Sequence, residues 1–137
     1  MSRKTVIEHG GKTYYGELGT VTSTRLSQED HGIFTASLLV EWKGGGVSAG
    51  GFVLDEYDKA SDRRVGTAFG LDHVMQIIET VGVASWEKIK GSNVFVLFES
   101  DNSWGSQSVG IAGLTNDKVL VFKEHAEYWR DREGWAD

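Results

Sequence analysis

A chain of 137 residues with net charge −6 and a pI near 5.2 is long enough to bury one hydrophobic core, and its acidity argues against a general nucleic-acid binder. It has no cysteine, which excludes disulfides, thiolate nucleophiles and Cys-ligated zinc. No apolar run reaches the length of a signal-peptide core or a membrane span, so a cytoplasmic protein with no membrane partner is expected.

Residues 5–9 carry the first strand signal, and Gly10-Gly11 supplies a two-residue hairpin turn into residues 12–15. Residues 15–26 alternate and are rich in β-branched side chains, which favours a half-exposed strand. A polar loop covers 27–32. Residues 33–42 read as a strong strand, the glycines at 44–46 turn the chain, and 47–54 return as its hairpin partner. The segment 55–64 is charged throughout and reads as an exposed loop. A helix follows. Thr67 is its cap, Leu71, Val74, Met75, Ile78 and Val81 form its one apolar face, and Gly82 takes the left-handed position after its last turn. Residues 85–89 tuck Trp86 and Ile89 onto the core. The unbroken apolar run 94–98 suits a central strand covered on both faces. Residues 106–111 and 118–123 are further strands, and 124–132 form a short amphipathic helix resting on Tyr128 and Trp129.

This order predicts a strand-rich α+β fold in a single domain over 1–137, with 1–14 as an N-terminal hairpin extension and 124–137 as a C-terminal helix or tail. The 18 glycines, spread as turn punctuation in a chain without proline, suit short strands and tight turns. Two architectures accommodate the pattern: an OB-like barrel, or a twisted antiparallel sheet packed on one main helix.

The motifs that resemble chemistry lack their structural context. Gly46-Val47-Ser48-Ala49-Gly50 spells the nucleophile elbow, which exposes its serine only where a strand turns sharply into a helix; here Gly51, Phe52 and Val53 continue the strand. Gly44-x-Gly46-x-x-Ala49 needs a following helix to meet a pyrophosphate, and none follows. Gly11-Lys12-Thr13 ends like a phosphate-binding loop, but Val6 stands where its opening glycine belongs. His9, His31, His73 and His125 show no ligand spacing. The pairs Asp30-His31 and Asp72-His73 would hold a metal only by converging in space, and the simpler reading makes His31 a loop cap and His73 a surface residue. No catalytic residue, metal ligand or cofactor is assigned.

Binding residues are sought instead where polar loops meet strand ends. The cluster Glu29-Asp30-His31-Gly32 is one such place, with a solvated turn as its plainer reading. Trp104, flanked by Ser103 and Gly105, is hard to bury, and an exposed aromatic beside cations stacks on bases or anchors an interface. Arg25, Lys43, Arg63, Arg64 and Lys90 are the cations available to line one face, against a reading of ordinary surface charge. The candidate ligand-binding set is Arg25, Glu29, Asp30, His31, Lys43, Arg64 and Trp104.

The segments EDHGIFTASLLVEW (29–42), GGFVLDEYD (50–58) and RVGTAFGLDHVMQIIETVGVASWEKIKGSNVFVLFE (64–99) resemble a family of small uncharacterised proteins of tailed phages and prophages. The likeness extends from Tyr15 to about Gly113. It implies a phage origin and the cytoplasm of a bacterial host, and it carries no residue role. A weaker resemblance to phage single-strand DNA-binding proteins rests on element order alone: strands, a helix, then the Lys90-Gly91 turn into an apolar strand.

The expected function is a non-enzymatic, OB-like phage accessory protein that binds single-stranded nucleic acid or a nucleotide. Trp104 would stack and Arg25, Lys43 and Arg64 would form a cationic track, giving binding that weakens with salt. The alternative is a host-takeover or anti-defence protein, acting on a bacterial host protein by contact or by sequestering a small molecule, with a homo-oligomer as one expected form. A metal-dependent hydrolase built on Asp30, His31, Asp72 and His73 ranks last.

Overall fold

A computed structural model describes residues 3–29, 32–101 and 107–133. Strand β1 (Arg3–His9) turns through Gly10-Gly11 into β2 (Lys12–Gln28). The two stretches read separately from the sequence, 12–15 and 15–26, are thus one strand of 17 residues, roughly 55 Å long. A hairpin of β3 (Phe34–Trp42) and β4 (Gly45–Val53) follows. The charged segment read as a loop is a second hairpin, β5 (Asp55–Asp58) with β6 (Arg63–Gly66). Helix α1 (Ala68–Val81) and a single 3-10 turn (Trp86–Lys88) lead into β7 (Asn93–Phe98), β8 (Gly110–Ala112) and β9 (Val119–Val121). Helix α2 (Phe122–Glu133) starts directly after β9, so the strand expected over 118–123 is cut short at Val121.

The main sheet is antiparallel throughout, in the order β4-β3-β2-β7-β8-β9, with β1 also on β2. Leu18 pairs with both Arg3 and Phe95, and Thr20 with both Glu41 and Asn93. Strands β1 and β3 therefore lie end to end along one edge of β2, with β7 along the other. A register shift between Val21 and Ser23 increases the local twist of β2. The sheet curls far enough for the Ser108 hydroxyl to donate to the Ser48 carbonyl at 3.0 Å, yet it does not close. Of the two expected architectures, the twisted sheet on a helix is the one observed, and the barrel is not formed.

Strand β7 is covered on both faces, as its unbroken apolar run predicts. Val94, Val96 and Phe98 join Val21, Leu38, Val40, Ile77 and Ile89 beneath α1. On the other side Leu97 packs with Tyr14, Ala112 and Val121. No helix among the described residues is long and apolar enough to cross a membrane.

Helix α1 is capped as expected. The Gly70 N–H donates to the Thr67 hydroxyl at 2.8 Å, and Gly82 (φ 89°) returns its N–H to the Ile78 carbonyl at 3.1 Å. Asn116, in the β8–β9 connection, donates to the Glu79 and Thr80 carbonyls at 3.3 and 3.4 Å and so holds the helix end to the sheet. The rotation of α1 differs from expectation. Its buried side runs through Phe69, Gly70, His73, Ile77 and Thr80, while Leu71 and Met75 are 67% and 49% exposed. Gly70 accounts for this. It lies so close to β4's end that a Cβ there would sit 2.1 Å from the Leu54 carbonyl oxygen. The Thr67 hydroxyl donates to that same oxygen at 2.9 Å. Only the glycine side of the first turn fits against Leu54, and this turns Leu71 outward.

Candidate functional site

The residues nominated from the sequence do not assemble into one track. Arg25 Nη1 lies 2.8 Å from Glu29 Oε1, and the Ser27 hydroxyl donates to Glu29 Oε2 at 2.6 Å. The Ser27 and Arg25 bonds hold the Glu29 carboxyl below its usual range. Arg64 grips Asp55 with two nitrogens, Nε to Oδ2 at 2.8 Å and Nη2 to Oδ1 at 2.9 Å. The Asp55 side chain is 8% exposed and also accepts the Phe34 N–H at 3.1 Å. The Arg64 bonds, helped by that N–H, keep the Asp55 carboxyl low against the cost of burial. Arg64 therefore holds Asp55 within the β5–β6 hairpin, and Asp55 ties that hairpin to the start of β3, a structural task. Lys43 is exposed in the β3–β4 turn, at the opposite end of β3 and roughly 30 Å from Phe34 along the strand. Asp30, His31 and Trp104 lie outside the described residues.

The structure instead gathers polar groups at the seam between α1 and α2, where the sequence offers only Asp72 and His73, as half of its last-ranked reading. Asp72 Oδ2 accepts the Trp129 indole N–H at 3.0 Å, and His125 Nε2 lies 2.8 Å from the same oxygen. Burial works against the Asp72 charge, but bonds from His125, Trp129 and Gln76 outweigh it and keep the carboxyl below its usual range. Phe122, His125, Ala126 and Trp129 recur at i, i+3, i+4, i+7, which puts them on one side of α2. That spacing was the available signal for the seam. The pairing with Asp72 crosses too much sequence to be read from it.

His73 is not the surface residue that was expected. It is fully buried among the rings of Phe52, Phe69 and Phe122, with centroids 5.5, 5.4 and 5.8 Å away, and the His125 ring lies 5.8 Å off. Neither ring nitrogen has a hydrogen-bond partner among the described residues. Burial, reinforced by His125 and opposed by Asp72, lowers its pKa to about 4, so near neutral pH the ring is uncharged core. Asp72 and His73 are adjacent in sequence but face different surroundings, α2 and the core respectively. Convergence with Asp30-His31 falls outside the described residues. Among the described residues, no group of three or more His, Cys, Asp and Glu is placed to hold a metal.

Asp72 is the principal polar anchor of α2. Asp72→Ala is expected to cost about 2 kcal/mol, the value of one bond to a charged acceptor, because water already shares a carboxylate that is partly exposed. It should raise amide hydrogen exchange across Phe122–Glu133 while leaving β2 and β7 protected. Exchange unchanged in α2 would show that Phe122 and Ala126 suffice to dock it.

Two surface features remain. A shallow groove of about 400 Å³ lies between β1 and the β8–β9 connection, with Ile7, Phe95 and Val119 in its floor and Glu8, Asn116 and Lys118 among its polar lining. Its charges are of mixed sign and select no ligand. The outer face of α1 is more distinctive. Leu71 and Met75 stand exposed one turn apart, flanked by half-buried Val74 and Ile78. The helix carries Asp72 and Glu79 and neither Lys nor Arg.

Fold and surface together define a strand-rich α+β domain: a curled antiparallel sheet with one helix packed on it and that helix's outer side left apolar and open. No family model, curated protein or solved structure matches the chain.

Proposed function

We propose that this chain is a non-enzymatic accessory binding protein that works by contact with another protein, through the outer face of α1. The exposure of Leu71 and Met75 carries this reading. Two large apolar side chains four residues apart, continuous with Val74 and Ile78, form an i, i+3, i+4, i+7 ridge. Such a ridge is how amphipathic helices engage other proteins. Contiguous exposed apolar surface of this kind usually marks an interaction site.

The single-stranded nucleic acid reading has less support. Arg25 and Arg64 are engaged by carboxylates, Lys43 is remote from both, and the chain carries charge −6. Its resemblance to tailed-phage proteins makes a bacterial host protein the natural class of partner, met in the host cytoplasm.

Two measurements test the reading. A labelled oligothymidine titrated at low and at physiological salt is expected to show no saturable binding; a salt-sensitive isotherm with Kd of about 1 µM or tighter would reverse the order of the two readings. The wild type is expected to copurify a host protein, and the double variant Leu71→Ser/Met75→Ser should keep the wild-type melting temperature, since both side chains are exposed, and lose that protein. Retention of that protein by the variant would refute contact through α1.

A further inference from the structure

We propose that the chain pairs with a second copy of itself through the free edge of β2, from Ser23 to Glu29, in a twofold antiparallel arrangement centred on Leu26. The proposal stands apart from the α1 reading above. Strand β7 pairs only with Tyr15–Thr20, and just beyond it the Val21 N–H donates to the Ser92 carbonyl while the Gly91 N–H donates to the Val21 carbonyl, both at 2.8 Å. From Ser23 onward β3 alone pairs with β2 among the described residues. Backbone direction follows from alternation along the strand. The Glu29 N–H donates to the Ile33 carbonyl at 2.6 Å, so Ser27, Arg25 and Ser23 also turn their groups towards β3. Thr24, Leu26 and Gln28 turn theirs outward, each presenting an N–H and a carbonyl along an edge roughly 20 Å long.

The other edges of the sheet are blunted, as edges of monomeric proteins are. Strand β9 has three residues and runs straight into α2. Strand β4 bulges at Gly50 and Gly51, both at positive φ, and its Ser48 carbonyl accepts the Ser108 hydroxyl. Strand β1 carries Arg3, Lys4 and Glu8. The β2 edge has no lysine, no proline and no bulge past Ser23, and Leu26 is 38% exposed on it. Its cation, Arg25, is neutralised by Glu29. A row of alternating donors and acceptors is satisfied by another extended strand.

The edge fits its own copy. It is bounded at one end by the bonds of Gly91 and Ser92 to Val21 and at the other by the turn after Glu29, and its midpoint is Leu26. A twofold axis there sets Leu26 against Leu26, Thr24 against Gln28, Arg25 against Ser27 and Ser23 against Glu29. Every outward group then bonds, since Leu26 exchanges both of its bonds with its counterpart and Thr24 both of its own with Gln28. The two leucines cover each other, and no like charges are directly opposed. Both α1 helices lie on one side of a single continuous sheet.

Sedimentation of the full chain at micromolar concentrations up to about 300 µM tests this. The wild type is expected to approach twice 15.1 kDa as concentration rises. Leu26→Lys and Leu26→Glu each oppose like charges at the axis, on an exposed side chain, and should each raise the dissociation constant about tenfold or more. Mixed in equal amounts, the two variants should pair with each other, and that heterodimer should weaken as salt rises. Leu71→Ser/Met75→Ser should dimerise as the wild type does. A wild type that stays monomeric throughout, a dimer indifferent to both charges at position 26, or a mixture without heterodimer would overturn the proposal and leave contact through α1 standing. Loss of the dimer in the α1 variant would overturn it too, by moving the contact between copies onto that helix.

Discussion

His73→Phe is expected to flatten the acid side of the stability profile by about 3 kcal/mol. The sign follows from the two states of the imidazole. In the unfolded chain it titrates near 6.5, and in the folded protein at about 4. Above pH 6.5 both states hold it neutral, and stability is whole. As the pH falls from 6.5 towards 4, the unfolded chain takes up a proton that the folded core refuses, and each unit costs about 1.4 kcal/mol. Below 4 the folded ring charges as well and the loss levels off. The carboxylates held low by their partners, Asp55 and Asp72, work in a separate window: their contribution is present above the ordinary carboxylate range and fades as the pH falls below it. Denaturant unfolding at several pH values between 7.5 and 4.5 separates the two effects. The phenylalanine variant should lose the slope between 6.5 and 4 and be at least as stable at pH 7.5, because two ring nitrogens without partners are removed. His73→Leu, which is smaller, guards against overpacking among Phe52, Phe69 and Phe122. If both variants keep the wild-type slope, His73 is not the group responsible.

Gly70→Ala is the second large effect, and its direction is diagnostic. In an ordinary helix position alanine is better than glycine by about 1 kcal/mol. Here the added methyl would sit 2.1 Å from the Leu54 oxygen, 2.8 Å from its carbonyl carbon and 2.9 Å from its Cα. These are backbone atoms with no rotamer to escape into. Either α1 retreats from the end of β4 or the Thr67 cap is lost, since its hydroxyl serves both Gly70 and Leu54. A destabilisation of about 3 kcal/mol, or a melting temperature lower by about 10 °C, is expected. A rise in melting temperature would mean that the contact with Leu54 does not set how α1 is seated.

The strands of the sheet were legible in the sequence because their signals are local. Alternation marked β2, glycines marked the turns, and the apolar run at 94–98 marked the strand with two covered faces. The caps of α1 were legible for the same reason. Its rotation was not. Phe69, Ile77, Leu71, Val74, Met75 and Ile78 make most of its circumference apolar, so periodicity alone offers two faces, and the choice is made by Gly70 against a residue on another element. The 55–66 hairpin was hidden by its charge, because Arg64 and Asp55 neutralise each other only once the strands pair. For the candidate surface, the residues were named but given the opposite role. Periodicity puts Leu71 and Met75 on the apolar face, yet they point outward, while His73, read as a surface residue, is fully buried. Of the candidate binding residues, Arg25 and Arg64 gave no sign in the sequence that each already had a carboxylate to hold.

The double pairing of β2 bears on how the protein is made. As the chain leaves the ribosome, β1 to β4 emerge first and pair with sequence neighbours. The second edge of β2, from Tyr15 to Thr20, must wait for Asn93 to Phe98. Through that interval Val21, Leu38 and Val40 lack their cover and the open edge is available to wrong partners. With no proline in the chain, no isomerisation delays the end of this interval. Its length is set by synthesis and by one long closure, the distant pairing that makes such topologies slow.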